Sequence, residues 1–389
     1  MTYDFNKIIE RRNTYSMKYD PASRGKPEDV IPLWVADMDF PSPPPVLDAI
    51  KEQANHGIFG YLDTGDDYFK TLQNWFSRRH DWVVEQDWLV KTPGVVSAIH
   101  IAILALTELG DSVLIQQPVY YPFMSAVSLT GRQLVVNELV YDDHRYHIDF
   151  DDFEKKITKH NVKAFILCNP HNPVGRVFTN QELTQLGDIC FRYGVVVIAD
   201  EIHQDFVYAG HKHLVFAGLK SQFCDITVTC TAPTKTFNLA GLPVANIFIS
   251  NKRLRERFMR EYTKLGVSQI GVMEIAACRA AYEYGDEWLD RLLEYLWGNM
   301  VLIEEFLEAR LSEIKLIRPE GSYLAWLDFS ALGLSDSALD NFITHKARLW
   351  LHRGTTFGMG GEGFMRLNAA CPRPLLCQTL ERLEKAIRE

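Results

Sequence analysis

An α/β architecture follows from three features of the sequence: a large domain with a mostly parallel seven-stranded sheet flanked by helices, joined to a smaller α+β domain. The middle of the chain alternates short apolar runs with helical patterns, as a parallel sheet with helical crossovers requires. From about residue 287 this alternation gives way to one long helix followed by short strands and helices. The 389 residues exceed one ordinary core, and 47% hydrophobic against 23% charged side chains supply enough apolar material for a large one.

The strands are expected at 88–92, 112–116, 133–137, 163–168, 194–199, 226–231 and 244–249, with helices over 95–109, 121–130 and 180–193 between them. The run Pro41-Ser42-Pro43-Pro44-Pro45 is a rigid extended turn. It marks a crossing between domains, just before a helix starting near Val46. A long helix then runs through Trp288, Leu292, Leu296 and Ile303 towards Leu311. Strands at 322–328 and 364–368 and helices at 337–348 and 374–388 complete the smaller domain. The expected division is 47–286 for the large domain, with 1–46 and 287–389 forming the small one.

Several function classes are excluded on composition. A net charge of -9 leaves no basic excess to neutralise nucleic-acid phosphates. The basic stretch Lys252 to Arg260 is interleaved with Leu254, Phe258 and Met259 and reads as the solvated face of an amphipathic helix. The seven cysteines form no C-x-x-C pair, and several sit in apolar segments such as Phe165 to Cys168. Buried reduced thiols of a cytoplasmic protein are expected, not disulfides or a metal site. The N-terminus shows no basic flank before an apolar run, and no stretch of about 18 uncharged apolar residues occurs, so neither secretion nor membrane spanning is expected. Of the twelve histidines, His211 and His213 lie two apart near a Gly turn. They are expected at the surface, and no Cys or carboxylate pattern completes a metal site around them.

In an open parallel sheet, ligands sit beyond the carboxyl ends of the strands. Strand 88–92 leads into Pro93 and Gly94, where the backbone can turn tightly and the first N–H groups of the next helix, at Val95 and Val96, can hold an anion. Strand 112–116 leads into Tyr120 and Tyr121 between prolines, a rigid mount for a ring that stacks on a flat group. Strand 163–168 runs into Asn169-Pro170-His171-Asn172-Pro173, an irregular loop stiff enough to fix the amide of Asn172. Strand 194–199 ends at Asp200, a carboxylate on the lip of an apolar strand that needs either a positive partner or a turn to cap. Strand 226–231 is followed by Thr234 and Lys235, ahead of apolar Phe237 and Leu239. A lysine held there can be desolvated and deprotonated, as an imine-forming lysine must be. Taken singly, each feature has an ordinary structural reading. A stacking ring, an anion-binding turn, an amide, a carboxylate and a lysine on one sheet edge are together what pyridoxal 5′-phosphate requires.

At these residues the chain resembles the fold-type I pyridoxal-phosphate enzymes of aminotransferase class I/II. Within them it is similar to the MalY/PatB group of cystathionine β-lyases, also called cysteine C–S lyases. The likeness covers nearly the whole length. It is carried by Trp34-Val35-Ala36-Asp37-Met38-Asp39-Phe40, Asp200-Glu201-Ile202-His203-Gln204-Asp205, Thr234-Lys235-Thr236-Phe237-Asn238 and Arg366-Leu367-Asn368-Ala369-Ala370-Cys371-Pro372. The resemblance implies that Lys235 forms the Schiff base with the cofactor and shuttles the Cα proton. It implies Asp200 against the pyridine nitrogen, Asn172 on the cofactor's O3′, and His203 where many relatives carry a tyrosine. Tyr120 would stack on the ring, and Gly94, Val95 and Val96 would hold the phosphate, with Thr231 or Thr234 offering the hydroxyl that many relatives take from a serine. Tyr61 would reach the phosphate of a neighbouring subunit, which implies a homodimer with composite sites. Arg366 would grip the carboxylate of a small amino-acid substrate, with Tyr120 and Asn172 beside it and Trp34 and Tyr323 at the entrance. Ala232 and Pro243 stand where many relatives have a serine and a basic residue for the phosphate.

Spacing does not separate transamination from elimination, because both use the same lysine, carboxylate and arginine. The subgroup resemblance favours elimination: cleavage of L-cystathionine or a related cysteine S-conjugate to a thiol, pyruvate and ammonia. An aminotransferase of the same fold is the alternative, and a cofactor-bound regulatory binding protein a more distant one.

Overall fold

The computed structural model describes residues 3–142, 144–267 and 269–389. Its strands, in chain order, are β1 (Ile31–Pro32), β2 (Leu89–Thr92), β3 (Ser112–Gln117), β4 (Gln133–Asp142), β5 (Arg145–Ile148), β6 (Ala164–Cys168) and β7 (Val196–Asp200). They continue with β8 (Thr227–Thr231), β9 (Ala245–Phe248), β10 (Lys315–Ile317), β11 (Leu324–Asp328), β12 (Leu349–Trp350), β13 (His352–Arg353) and β14 (Phe364–Asn368). The large sheet has the order β2-β9-β8-β7-β6-β3-β4-β5. From β8 to β4 the neighbours are parallel, while β9 runs antiparallel to both β8 and β2, and β5 antiparallel to β4.

All seven expected strands are in this sheet, and the eighth, β5, corrects the count. Its Arg145 and His147 are exposed and only Tyr146 and Ile148 are buried. A four-residue, half-polar edge strand carries too little apolar signal to read from sequence. The central strands are legible because both their faces are covered. Along β6, Ile166 packs in one cluster with the helix Val95–Leu106, whereas Phe165 and Leu167 pack in another with the helices Phe150–His160 and Asn180–Arg192. Successive side chains of a strand point to opposite faces, so a continuous apolar run serves two helical layers.

The second sheet is antiparallel in the order β10-β11-β14-β13, with β1 and β12 forming a separate parallel pair. The long helix Asp286–Arg310 and the C-terminal helix Arg373–Arg388 pack beside it. The expected boundary at 46/47 falls inside the helix Pro44–His56, and that at 286/287 one residue into the helix Asp286–Arg310. One apolar cluster joins Trp75 and Phe237 to Trp288, Leu324 and Leu376 across these positions. The basic stretch lies on the helix Lys252–Lys264, as expected.

Candidate active site

The carboxyl ends of β3, β6, β7 and β8 open onto a cavity of about 210 Å³. The chain passes from β3 to β4 on one side and returns with β6 on the other, the reversal of strand order at which ligands gather in open α/β sheets. Of the residues singled out from sequence, Gly94, Val95, Val96, Tyr120, Asn172, Asp200, His203, Thr234 and Lys235 all line this one cavity.

Lys235 sits in the short helix Pro233–Thr236 directly after β8. Its Nζ donates to Ala36 O at 2.8 Å. Burial, reinforced by the positive charge of Arg366, lowers its pKa to about 8 against the opposing pull of Asp37 and Asp200. Asp200 is the last residue of β7, and its Oδ1 accepts from Ile202 N at 3.1 Å. One oxygen therefore caps the following turn, yet the group forms no ion pair among the described residues. Burial pushes its pKa up to about 7, moderated by the Ile202 hydrogen bond and by Lys235. A carboxylate held this way lacks the cation its charge calls for.

Gly94 has φ +113°, a backbone conformation that favours glycine. It precedes the helix Val95–Leu106, whose first backbone bond is Ala98 N to Gly94 O at 3.2 Å. The earlier N–H groups of that turn are free of helical partners, and Val95, Val96 and Ser97 border the cavity. Tyr120 follows β3, and burial raises its hydroxyl pKa to about 12.

Arg366, in the middle of β14, is 3% exposed, so it is not the surface ion pair that is a lone arginine's usual fate. Nη1 donates to Asn172 Oδ1 at 2.9 Å, and Nη2 to Trp34 O at 2.9 Å and towards His352 Nδ1 at 3.3 Å. Its Nε has no hydrogen-bond partner among the described residues. Burial lowers its pKa to about 10. A dry guanidinium with an open N–H and no carboxylate is built to receive an anion.

The remaining residues are placed less directly. His203 is buried beside Lys235 and Arg366, and burial first, then those charges, lowers its pKa to about 3, so it is a neutral imidazole. Its Nδ1 lies 3.4 Å from Ser322 Oγ. Tyr323, expected at the entrance, is fully buried, and its hydroxyl donates to the same Ala36 O as Lys235, at 2.9 Å. Trp34 stacks its ring on Trp350, 4.5 Å between centroids, with His352 edge-on at 6.0 Å, and meets Arg366 through its carbonyl. Tyr61 is 93% exposed and lies outside the cavity of its own chain. His213, expected at the surface, is buried: its ring packs 3.2 Å from Glu201 Oε2 and 3.4 Å from Asn169 Nδ2, behind the β7 loop.

Sequence reasoning missed Ala36, whose contribution is a backbone carbonyl and so leaves no trace in residue type. It also missed His352, which nothing in sequence separates from a surface histidine, and the thiol of Cys168, which borders the cavity.

The profile of the aminotransferase class I and II family matches residues 28–383, and the chain belongs to that family. It is 43% identical to the cystathionine β-lyase PatB of Bacillus subtilis over 99% of this chain and 100% of that one. Cystalysin of Treponema denticola, whose crystal structure contains a pyridoxal 5′-phosphate cofactor, superposes with a TM-score of 0.97 at 38% identity, covering 100% of this chain and 99% of that one. The pyridoxal-phosphate-bound C–S lyase of Staphylococcus hominis gives a TM-score of 0.94 at 33% identity, again over 100% and 99%.

Proposed function

We propose that the protein is a pyridoxal-phosphate-dependent carbon–sulfur β-lyase that cleaves L-cystathionine or related cysteine S-conjugates to a thiol, pyruvate and ammonia. The reading is carried by one observation: the full-length likeness to C–S lyases coincides with a cavity in which an uncompensated carboxylate and a desolvated lysine converge, with an anion-free arginine bonded to Asn172 at its wall. These residues fit the cofactor. Asp200 offers a charge to a protonated pyridine nitrogen, Lys235 an amine to the aldehyde, and Gly94, Val95, Val96 and Thr234 border the place for a phosphate. Asn172 and His203 are at hand for the ring oxygen and Tyr120 for the ring face.

When bound, pyridoxal phosphate supplies an electron sink for the pair left at the substrate Cα. Arg366 holds the substrate carboxylate through charge-assisted bonds and so fixes which Cα bond faces Lys235. The Lys235 amine would take the Cα proton; its desolvation keeps a useful fraction neutral near pH 8. The Cα–H electron pair becomes the second bond between Cα and Cβ as the Cβ–S bond breaks, and sulfur leaves with its own pair as thiolate. Water then converts the released unsaturated amine to pyruvate and ammonia. Asp200 would hold its negative charge for a protonated ring nitrogen.

A homodimer with composite sites accounts for Tyr61: Ile58, Phe59, Tyr61 and Leu62 form an exposed apolar segment, 47–93% accessible, that a second copy would cover. Among the described residues no helix is long and apolar enough to cross a membrane, and all seven cysteines are free, which fits a reducing cytoplasm. The test is pyruvate release from L-cystathionine by purified yellow protein without any keto acid. Sustained release, lost in Lys235→Ala, is expected. Bleaching by an amino acid with recovery only on adding a keto acid would identify an aminotransferase instead.

A further inference from the structure

Five consecutive carbonyls, from Trp34 to Met38, each meet a side chain from elsewhere in the chain. Trp34 O accepts from Arg366, Val35 O from Asn368, and Ala36 O from both Lys235 and Tyr323. Asp37 O accepts from Asn368 and Lys18, and Met38 O from Arg11 and Asn238. This loop lacks regular secondary structure, so side chains do for its backbone what a ladder does elsewhere.

Two of those donors also hold carboxylates. Arg11 spans Asp37 Oδ2 and Asp39 Oδ1, each at 2.5 Å. Lys18 is fully buried, with Nζ 2.8 Å from Asp39 Oδ2 and 3.6 Å from Asp37 Oδ1. Two cations and two anions cancel; Lys18 and Asp39 are buried while Arg11 and Asp37 stay partly accessible, so removing a partner costs most where it leaves Lys18 or Asp39 uncompensated. Asp37 is therefore fixed from the N-terminal segment while its sequence neighbour Ala36 presents a carbonyl to the lysine. Of the two anions acting on Lys235, Asp37 has the larger effect, ahead of Asp200.

We propose that Asp37, clamped by Arg11 and Lys18, is a positioning residue for Lys235: it holds the Ala36 carbonyl on the lysine amine and places a carboxylate one residue from that contact. The N-terminal segment is thereby part of the catalytic apparatus. The inference rests on Lys235 being the cofactor lysine. The charged and titratable groups facing that lysine are Asp37 from the loop, Asp200 from β7, His203 from the turn after it, Arg366 from β14 and, through Ala36 O, Tyr323.

The experiment follows the visible absorbance of the full-length, cofactor-loaded protein against pH, whose midpoint reports protonation at the Lys235 nitrogen. Loss of the band in Lys235→Ala checks the underlying reading separately. Asp37→Asn removes an anion and is expected to move the midpoint down by about half a pH unit or more. Arg11→Gln leaves Asp37 less neutralised and is expected to move it up. Lys26→Ala breaks an ion pair with Asp340 away from the cavity and serves as the control, changing thermal stability alone. Opposite shifts establish the assignment. An unmoved midpoint in Asp37→Asn, or shifts of the same sign in both variants, overturns it. If Asp37→Asn does not load cofactor, Arg11→Gln decides alone: an upward shift supports the proposal and any other result refutes it.

Discussion

Replacing Arg366 with lysine tests whether the buried guanidinium is a substrate-carboxylate receptor. Burial lowers its pKa from 12.5 to about 10. At roughly 1.4 kcal/mol per unit, the positive charge is held at a disadvantage of about 3 kcal/mol. A carboxylate arriving at the open Nε would relieve most of that. Lysine keeps the charge but cannot reach Asn172 Oδ1, Trp34 O and a ligand together, because the fixed fork of donors is gone. The expected loss is about 2–3 kcal/mol of substrate binding, or roughly 30- to 150-fold in KM. Since the carboxylate contact is the same in ground and transition states, kcat should change less than about tenfold. Steady-state pyruvate release gives both constants, and the inhibition constant of the decarboxylated amine analogue supplies the control. A KM within about threefold of the parent, or an equal weakening of the carboxylate-free amine, would refute the reasoning.

Further outcomes are expected at three residues. Asp200→Asn should cut turnover by about two orders of magnitude or more, because the ring nitrogen loses its anion. In cofactor-free protein the Asp200 pKa, raised to about 7, gives stability that is present below about pH 4 and lost as pH climbs through 7. Melting temperature should therefore fall across that window in the parent and stay flatter in Asp200→Asn. Tyr61→Phe should weaken cofactor binding roughly ten- to a hundredfold by removing one bond to a charged group. Mixing Tyr61→Ala with Lys235→Ala should then restore activity if the sites are composite, and silence on mixing would count against it. Arg176→Met removes the guanidinium shared by Glu320, Glu182 and the Tyr146 carbonyl, and should cost about 3–5 kcal/mol, read as a melting temperature lower by roughly 5–10 °C.

The large sheet was legible because its central strands are apolar on both faces and each is followed by an informative loop. Lys235, Asp200 and Asn172 could be picked out because a polar group at the end of such a strand stands out against it. β5 was hidden by its alternating exposure, and the π-helical turn Phe342–Lys346, which interrupts an expected helix over 337–348, gives no periodic warning. His213 shows the reverse error: a residue that looks solvated in its local sequence is buried by a loop folding back onto β7.

The order of strands and loops, the lysine and the carboxylate were thus determined by the chain's own pattern, since periodicity and polarity act between near neighbours. Tertiary structure decided the rest. It brought Arg366 onto Asn172 across 194 residues, Ala36 O onto Lys235 across 199, and Arg11 onto Asp37 across 26. Such bonds join groups that meet only when distant segments pack together, and two of the three pass through residues whose type alone signals nothing of the kind. The depressed basicity of Lys235 and Arg366 and the raised one of Asp200 arise from burial, a property of the folded whole.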